Sequence, residues 1–245
     1  MGTSAGPIKT MLRKTRRLVN QSLGRDVRAP IQHRCNKEIL GTDYGGWCIC
    51  PDQITADSVV YSFGVGEDIS FDLALIERFG LHVHAFDPTP KSIRWIKQQA
   101  LQAEFHFHEL GIADYDGIAT FALPTPNYVS FSIAENREPD GELVIQAQVR
   151  RLETLVKMLG HRKIDILKMD IEGAEYKVIA DLANFLRLGI PIHQLLIEFH
   201  HTIGNAPEVM QTIEAIKRIN AMGFRLFHNS AMGREYSFIT VGGMP

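Results

Sequence analysis

The chain has 245 residues, 45% hydrophobic and 22% charged, which excludes a disordered or fibrous protein and is enough to bury the core of one α/β domain. A net charge of -2 argues against nucleic acid as a partner, and no run of about 18 apolar residues is present to form a transmembrane segment.

Charge is uneven along the chain. Lys9, Arg13, Lys14, Arg16, Arg17, Arg25 and Arg28 face only Asp26 in the first 28 residues, so this arm carries +6 and the remainder -8. Leu12, Thr15, Val19 and Leu23 share one helical face, which predicts a basic amphipathic arm, either solvated or in weak peripheral contact with a membrane. The arm lacks the apolar core of a secretory signal, so a cytoplasmic protein is expected. Residues 1–43 read as arm and lead-in, and 44–245 as the functional domain. Cys35, Cys48 and Cys50 are too few for a disulfide framework and one short of a four-thiolate zinc site. Reduced structural thiols are the expectation, with a redox pair or shared metal as the alternative.

From residue 59 onward, apolar runs alternate with helical patterns. Strands are predicted at 59–64, 82–87, 105–110, 164–170 and 194–199, and helices at 70–79, 90–100, 174–186 and 207–222. Val209, Ile213, Ile216 and Ile219 mark the apolar face of the last helix, which Gly223 ends. Two final strands, 224–228 and 236–241, have no helix between them, so they must pair antiparallel around Met232-Gly233. Residues 115–150 are irregular, punctuated by Pro124, Pro126, Pro139 and Gly141. The whole predicts an α/β fold, a Rossmann-like, mostly parallel seven-stranded sheet ending in an antiparallel hairpin. That layout resembles the class I S-adenosylmethionine-dependent methyltransferases.

The first strand runs into Gly64-Val65-Gly66-Glu67-Asp68, and the second ends at Asp87, 23 residues after Gly64. Such a strand, glycine turn, helix and strand-end carboxylate hold an adenosine: the glycines let the backbone approach, and Asp87 is placed for both ribose hydroxyls. A dinucleotide site wants a third glycine where Ile69 stands, and Glu67 and Asp68 repel a pyrophosphate while accepting hydrogen bonds from the ammonium of a methionine moiety. S-adenosylmethionine is therefore favoured over NAD(P), an oxidoreductase and a non-catalytic binding module being the rivals. Gly64, Gly66 and Glu67 are assigned to the methionine end, Asp87 to the ribose, and Ile112 and Asp114 to the adenine. A surface Asp beginning the turn Asp114-Tyr115-Asp116-Gly117 competes with that last assignment.

A further segment, Lys168-Met169-Asp170-Ile171-Glu172-Gly173-Ala174-Glu175, carries the Lys-x-Asp-Ile-Glu-Gly-x-Glu signature. With Ser62 to Asp68, His84-Ala85-Phe86-Asp87-Pro88-Thr89-Pro90 and Gln194 to His201, it resembles the FkbM family of methyltransferases, especially its methyltransferase-like animal branch. The resemblance spans roughly residues 44–245 and implies a class I fold, S-adenosylmethionine as donor and O-methylation, with macrolides and saccharides among the acceptors. A small-molecule or saccharide hydroxyl is thus the expected acceptor.

The ends of the fourth and fifth strands should converge beside the donor. A hydroxyl acceptor needs a base or a cation there. His200 or His201 is assigned as base, oriented by Asp170 or Glu198. A divalent metal on the same groups is the less favoured reading, because no spaced ligand motif fixes one. Glu172 and Glu175 read as helix-capping acids and Lys168 as a partner for a nearby carboxylate. His82, His84, His106 and His108, at period two on adjacent strands, read as a packed stripe on one sheet face. Tyr128, Ser130 and Ser132 are candidate substrate contacts in a polar loop.

Overall fold

The computed structural model describes residues 7–122, 132–133 and 144–241. Tyr128 and Ser130, with the side chain of Ser132, lie outside them. Helix α1 (Pro7–Ser22) opens the chain with Leu12, Leu18, Val19 and Leu23 turned to solvent. Its opposite side is anchored by Arg17, which donates to Ser230 O at 2.8 Å and Tyr236 Oη at 3.2 Å and lies 3.6 Å from Asp26. The lead-in belongs to the same core as the rest: Val27 is fully buried, and the Gln32 and His33 amides donate to Leu226 O. A two-stranded antiparallel pair follows, β1 (Glu38–Leu40) with β2 (Trp47–Ile49).

The main unit then alternates as β3 (Val59–Phe63), α2 (Ser70–Phe79), β4 (His82–Phe86), α3 (Pro90–Ile96) and β5 (Phe105–His108). A small four-stranded sheet comes next, from β6 (Gly111–Ile112), β7 (Gly117–Ala122), β8 (Ser132–Ile133) and β9 (Val144–Arg150), in the order β6-β9-β7-β8. Helix α4 (Leu152–Leu159) leads into β10 (Ile164–Met169), α5 (Glu175–Leu186), β11 (Ile192–Glu198), α6 (Ala206–Ala221), β12 (Phe224–Asn229) and β13 (Glu235–Thr240). The seven-stranded sheet has the order β12-β13-β11-β10-β3-β4-β5, all parallel except β13, which pairs antiparallel with both β11 and β12. This is the class I methyltransferase layout expected from the alternation and the terminal hairpin.

Central strands are apolar almost throughout because helices cover both faces. Val60, Tyr61, Phe63, Ile166, Leu167, Met169, Leu195, Leu196 and Ile197 are fully buried. Two apolar clusters result, one on each face of the sheet. Each such side chain taken from water contributes roughly 1.5–3 kcal/mol to the stability of the sheet. The strand order reverses between β3 and β10: β4 and β5 lie on one side, β11 and the hairpin on the other. A crevice must open beyond the carboxyl ends of these two strands.

The histidine stripe is present on β4 and β5. His82 and His84 pair with His106 and His108 at 2.8 and 3.2 Å, with rings stacked, and His161 hydrogen-bonds Tyr61 Oη at 2.8 Å. Burial, then repulsion by His161, His106, His108 and His82, pushes the His84 pKa down to about 3. The three cysteines are free thiols beside Phe227 and Ile239. Burial pushes Cys48 up to about 11, so it stays protonated.

Candidate active site

The crevice at the reversal point is a cavity of about 730 Å³. One wall is the glycine turn. Gly64, at φ +75°, sits so close to the β10 exit that an added Cβ would fall 1.6 Å from Asp170 O. Only glycine fits there. Gly66, at φ +53°, faces open space instead, and its N–H donates to Asp87 Oδ2 at 3.0 Å. Asp87 Oδ1 accepts from Thr89 N at 2.9 Å and Thr89 Oγ1 at 2.7 Å. Of about four acceptor positions on that carboxylate, three are filled, so Asp87 offers one to a ligand rather than the two inferred from sequence.

Glu67 lines the cavity with its carboxylate 2.7 Å from Lys91 Nζ. Asp68 also lines the cavity, and its carboxylate accepts from Ser70 N at 2.8 Å, at the start of α2, and from Thr42 Oγ1 at 2.9 Å. Ile112 is buried and lines the cavity; Asp114 is exposed and does not. The adenine assignment of Asp114 is corrected accordingly: it stands on the solvent side of a turn whose Asp116 is tied to Arg151 N and Thr154 Oγ1.

Lys168 is buried in β10, where its Nζ donates to Gly64 O at 2.8 Å and lies 5.6 Å from the Trp47 ring. Beneath it Asp72 is almost fully buried; burial raises its carboxyl, and the Lys168 charge opposes the rise. Lys168 thus ties the glycine turn to β10 and neutralises the wall below. Its lone cationic place in an apolar strand was the sequence signal for this role. Trp47, Met232 and Arg234 also line the cavity, brought there from distant parts of the chain, and no local pattern marked them.

The opposite wall gathers Asp170 at the end of β10 with Glu198 and His200 at the end of β11. His200 Nε2 lies 3.5 Å from Asp170 Oδ1, 3.4 Å from Glu172 Oε2 and 3.8 Å from Glu198 Oε1. Its Nδ1 meets Glu175 Oε1 at 3.3 Å, and because a carboxylate only accepts, Nδ1 carries the proton. Glu175 is fully buried and also accepts from His200 N at 3.0 Å and Gly173 N at 2.8 Å. It therefore joins the β10–α5 turn to the β11 exit, more than the helix capping expected of it. In that turn Glu172 adopts φ +51°, alone among the described non-glycine residues, and aims its carboxylate at His200. Strain of this kind clusters at functional sites.

Burial disfavours charge on His200, but its bond to Glu175 and the fields of Glu175, Glu172 and Asp170 outweigh burial and push its pKa up to about 9. In this arrangement the imidazole is held protonated at neutral pH, which opposes the role of base assigned to it from sequence. Burial first, then Asp170, pushes Glu198 up to about 7. His201 is corrected on geometry. It is buried away from the cavity with Nε2 3.1 Å from Asp26 Oδ1, because successive residues of an extended segment point to opposite sides.

Residues 58–226 match the profile of the methyltransferase FkbM domain, more than half of the chain. The chain belongs to the FkbM methyltransferase family. Among curated proteins this FkbM chain is 28% identical over 214 residues to probable methyltransferase-like protein 24 of Homo sapiens, covering 79% of this chain and 52% of that one. The Rattus norvegicus counterpart is also 28% identical, over 80% of this chain and 52% of its own length. The chain thus spans about half the length of the curated relatives it matches. Among solved structures, the Methanococcus jannaschii fibrillarin pre-rRNA processing protein aligns with a TM-score of 0.42 at 9% identity over 84% of both chains. M. jannaschii TYW2 in complex with AdoMet aligns with a TM-score of 0.33 at 10% identity, over 86% of this chain and 90% of that one.

Proposed function

We infer that this FkbM protein is an S-adenosylmethionine-dependent O-methyltransferase acting on a hydroxyl of a small molecule or saccharide. The observation that carries the reading is one cavity with two unlike walls. An adenosine-type turn and Asp87 lie on one side, and on the other the carboxylates of Asp170 and Glu198, either able to accept a proton, stand beside His200. The residues present suit this donor. Open space over Gly66 leaves room for its backbone to meet the ligand, Asp87 keeps one free acceptor position, and the buried Ile112 offers an apolar surface to a flat base. Ile69, buried where a dinucleotide turn needs glycine, supports the methyl donor over NAD(P).

When bound, S-adenosylmethionine supplies an electrophilic methyl group on a sulfonium. The chain's part is to hold the acceptor oxygen in line and take its proton; most of the acceleration comes from that positioning. Asp170 and Glu198 face the cavity with His200 as their nearest cationic partner, so a carboxylate of this pair receives the proton. Their negative charge also favours a cationic donor beside them.

Transfer of a tritiated methyl group from labelled donor to a panel of monosaccharides, glycans and hydroxylated small molecules tests the reading. Incorporation that survives amine-selective cleavage and falls at least 100-fold in Asp170→Asn supports it. Transfer to amines alone overturns the hydroxyl assignment.

A further inference from the structure

We propose that Asp170, Glu198 and His200 form a binding site for a divalent cation of the manganese or magnesium class. One ligand atom from each of these three residues lies within 4.8 Å of the others, at the inner wall of the cavity. An ion about 2.1 Å from each ligand needs them roughly 3.0 Å apart when adjacent and about 4.2 Å when opposite in octahedral geometry. The distances from His200 Nε2, 3.5 Å to Asp170 and 3.8 Å to Glu198, fall inside that span.

A second and independent feature is the setting of the imidazole. Glu175, fully buried and fixed by two backbone amides, holds Nδ1 and turns Nε2 into the cavity. A carboxylate behind a histidine is the usual support for a metal ligand, since it fixes the tautomer and raises the basicity of the outward nitrogen, and the incoming ion displaces the proton that Nε2 carries in its absence. The protein ligands number three and share one wall, so positions stay open toward the cavity for water or an acceptor hydroxyl. Two carboxylates and one imidazole suit hard or borderline divalent ions, and the absence of thiolate disfavours soft ones. Glu172, whose carboxylate is 3.4 Å from His200 Nε2, is within reach as a further oxygen ligand.

The linear sequence hid this site because its ligands come from two neighbouring strands, 28 and 30 residues apart, rather than from a short motif. The role of the ion, lowering the pKa of the acceptor hydroxyl, rests on the methyltransferase reading; ion binding does not.

The test uses the full chain, stripped with chelator and titrated with Mn2+ under electron paramagnetic resonance, with circular dichroism confirming the fold of each variant. The expected result is one saturable site per chain, weakened at least tenfold in Glu198→Gln and in Asp170→Asn and unchanged in Asp114→Asn. Mg2+ should displace the Mn2+ by competition. Unsaturable binding up to millimolar Mn2+ in the wild-type chain, or equal affinity in Glu198→Gln, overturns the proposal. Saturable Mn2+ binding that depends on Glu198, in a chain that transfers no methyl group to any acceptor, overturns the functional reading and supports the site.

Discussion

Alanine at Gly64 and alanine at Gly66 should separate what the glycine turn does for the fold from what it does for a ligand. Both residues have positive φ, so an L side chain at either costs about 1–2 kcal/mol of backbone strain. At Gly66 that is nearly the whole cost, because no atom lies within 4 Å of the new Cβ. At Gly64 the Cβ would sit 1.6 Å from Asp170 O, so the β3 and β10 exits must part by about 1.4 Å to restore even a 3.0 Å contact. Forcing packed segments apart adds roughly 1–3 kcal/mol, for a total loss of about 2–5 kcal/mol against a typical stability of about 5–15 kcal/mol. Urea unfolding followed by the fluorescence of Trp47 and Trp95 gives both numbers, and calorimetry with S-adenosylhomocysteine gives the affinities. Gly64→Ala should lose about 2–5 kcal/mol, clearly more than Gly66→Ala. Gly66→Ala should stay folded yet bind at least tenfold more weakly, since its methyl group enters the cavity. Equal stabilities of the two variants would refute the close approach of the turns, and full affinity in Gly66→Ala would refute the placement of the ligand over that turn.

The contribution of His84 to stability should fall as the pH drops below about 6.5, while the raised carboxyls of Glu198, Asp170 and Asp72 act in the opposite direction, so the comparison with His84→Leu isolates it. His84 is held neutral in the fold, with a pKa near 3, and gains its proton on unfolding; the stability is present above 6.5 and is lost between 6.5 and 3. Allowing for its partial exposure, His84 should cost about 1–2 kcal/mol by pH 5, with His106, His108 and His161 acting in the same direction. Urea midpoints at pH 7.5 and 5 check this, and a pH dependence unaltered in His84→Leu would contradict it. Lys168→Met leaves the buried Asp72 without its opposing charge and Gly64 O without its donor, so it should cost about 3 kcal/mol in the same urea assay. A loss under 1 kcal/mol would show that the lysine is not holding the turn. Arg17→Ala should cost about 2 kcal/mol and open residues 7–22 to protease, because it removes the bonds to Ser230 and Tyr236 and the cationic neighbour at Asp26 Oδ2, leaving that carboxylate with His201 and the Val27 amide on Oδ1. An unchanged cleavage rate would count against the anchoring of α1.

The large sheet was legible in the sequence because strands buried on both faces read as continuous apolar runs, and because a hairpin with no room for a helix must be antiparallel. The small sheet was not. Its strand β9 alternates exposed and half-buried residues, including Gln146 and Gln148, and finds its partner β7 across some two dozen residues, so neither hydrophobicity nor distance announced the pairing. Helix α4 was missed for a related reason: eight residues pressed between two strands give only two turns of periodicity. In the site, Gly64, Gly66, Asp87 and Asp170 followed from strand ends and turn chemistry. His201 did not, since which of two adjacent histidines faces the crevice depends on how the chain leaves β11. Asp114 failed because a turn acid looks the same in sequence whether it faces a ligand or water. The protonated state of His200 depends on four carboxylates drawn from two segments, which only the fold brings together.

Calorimetric titration of the wild-type chain and Asp87→Ala with S-adenosylhomocysteine bears most directly on the claim that the crevice beyond β3 and β10 holds the methyl donor. Saturable binding in the wild type, reduced at least tenfold in an Asp87→Ala variant that remains folded, is the predicted result. Absence of binding in the wild type, or the same affinity in both, would contradict it.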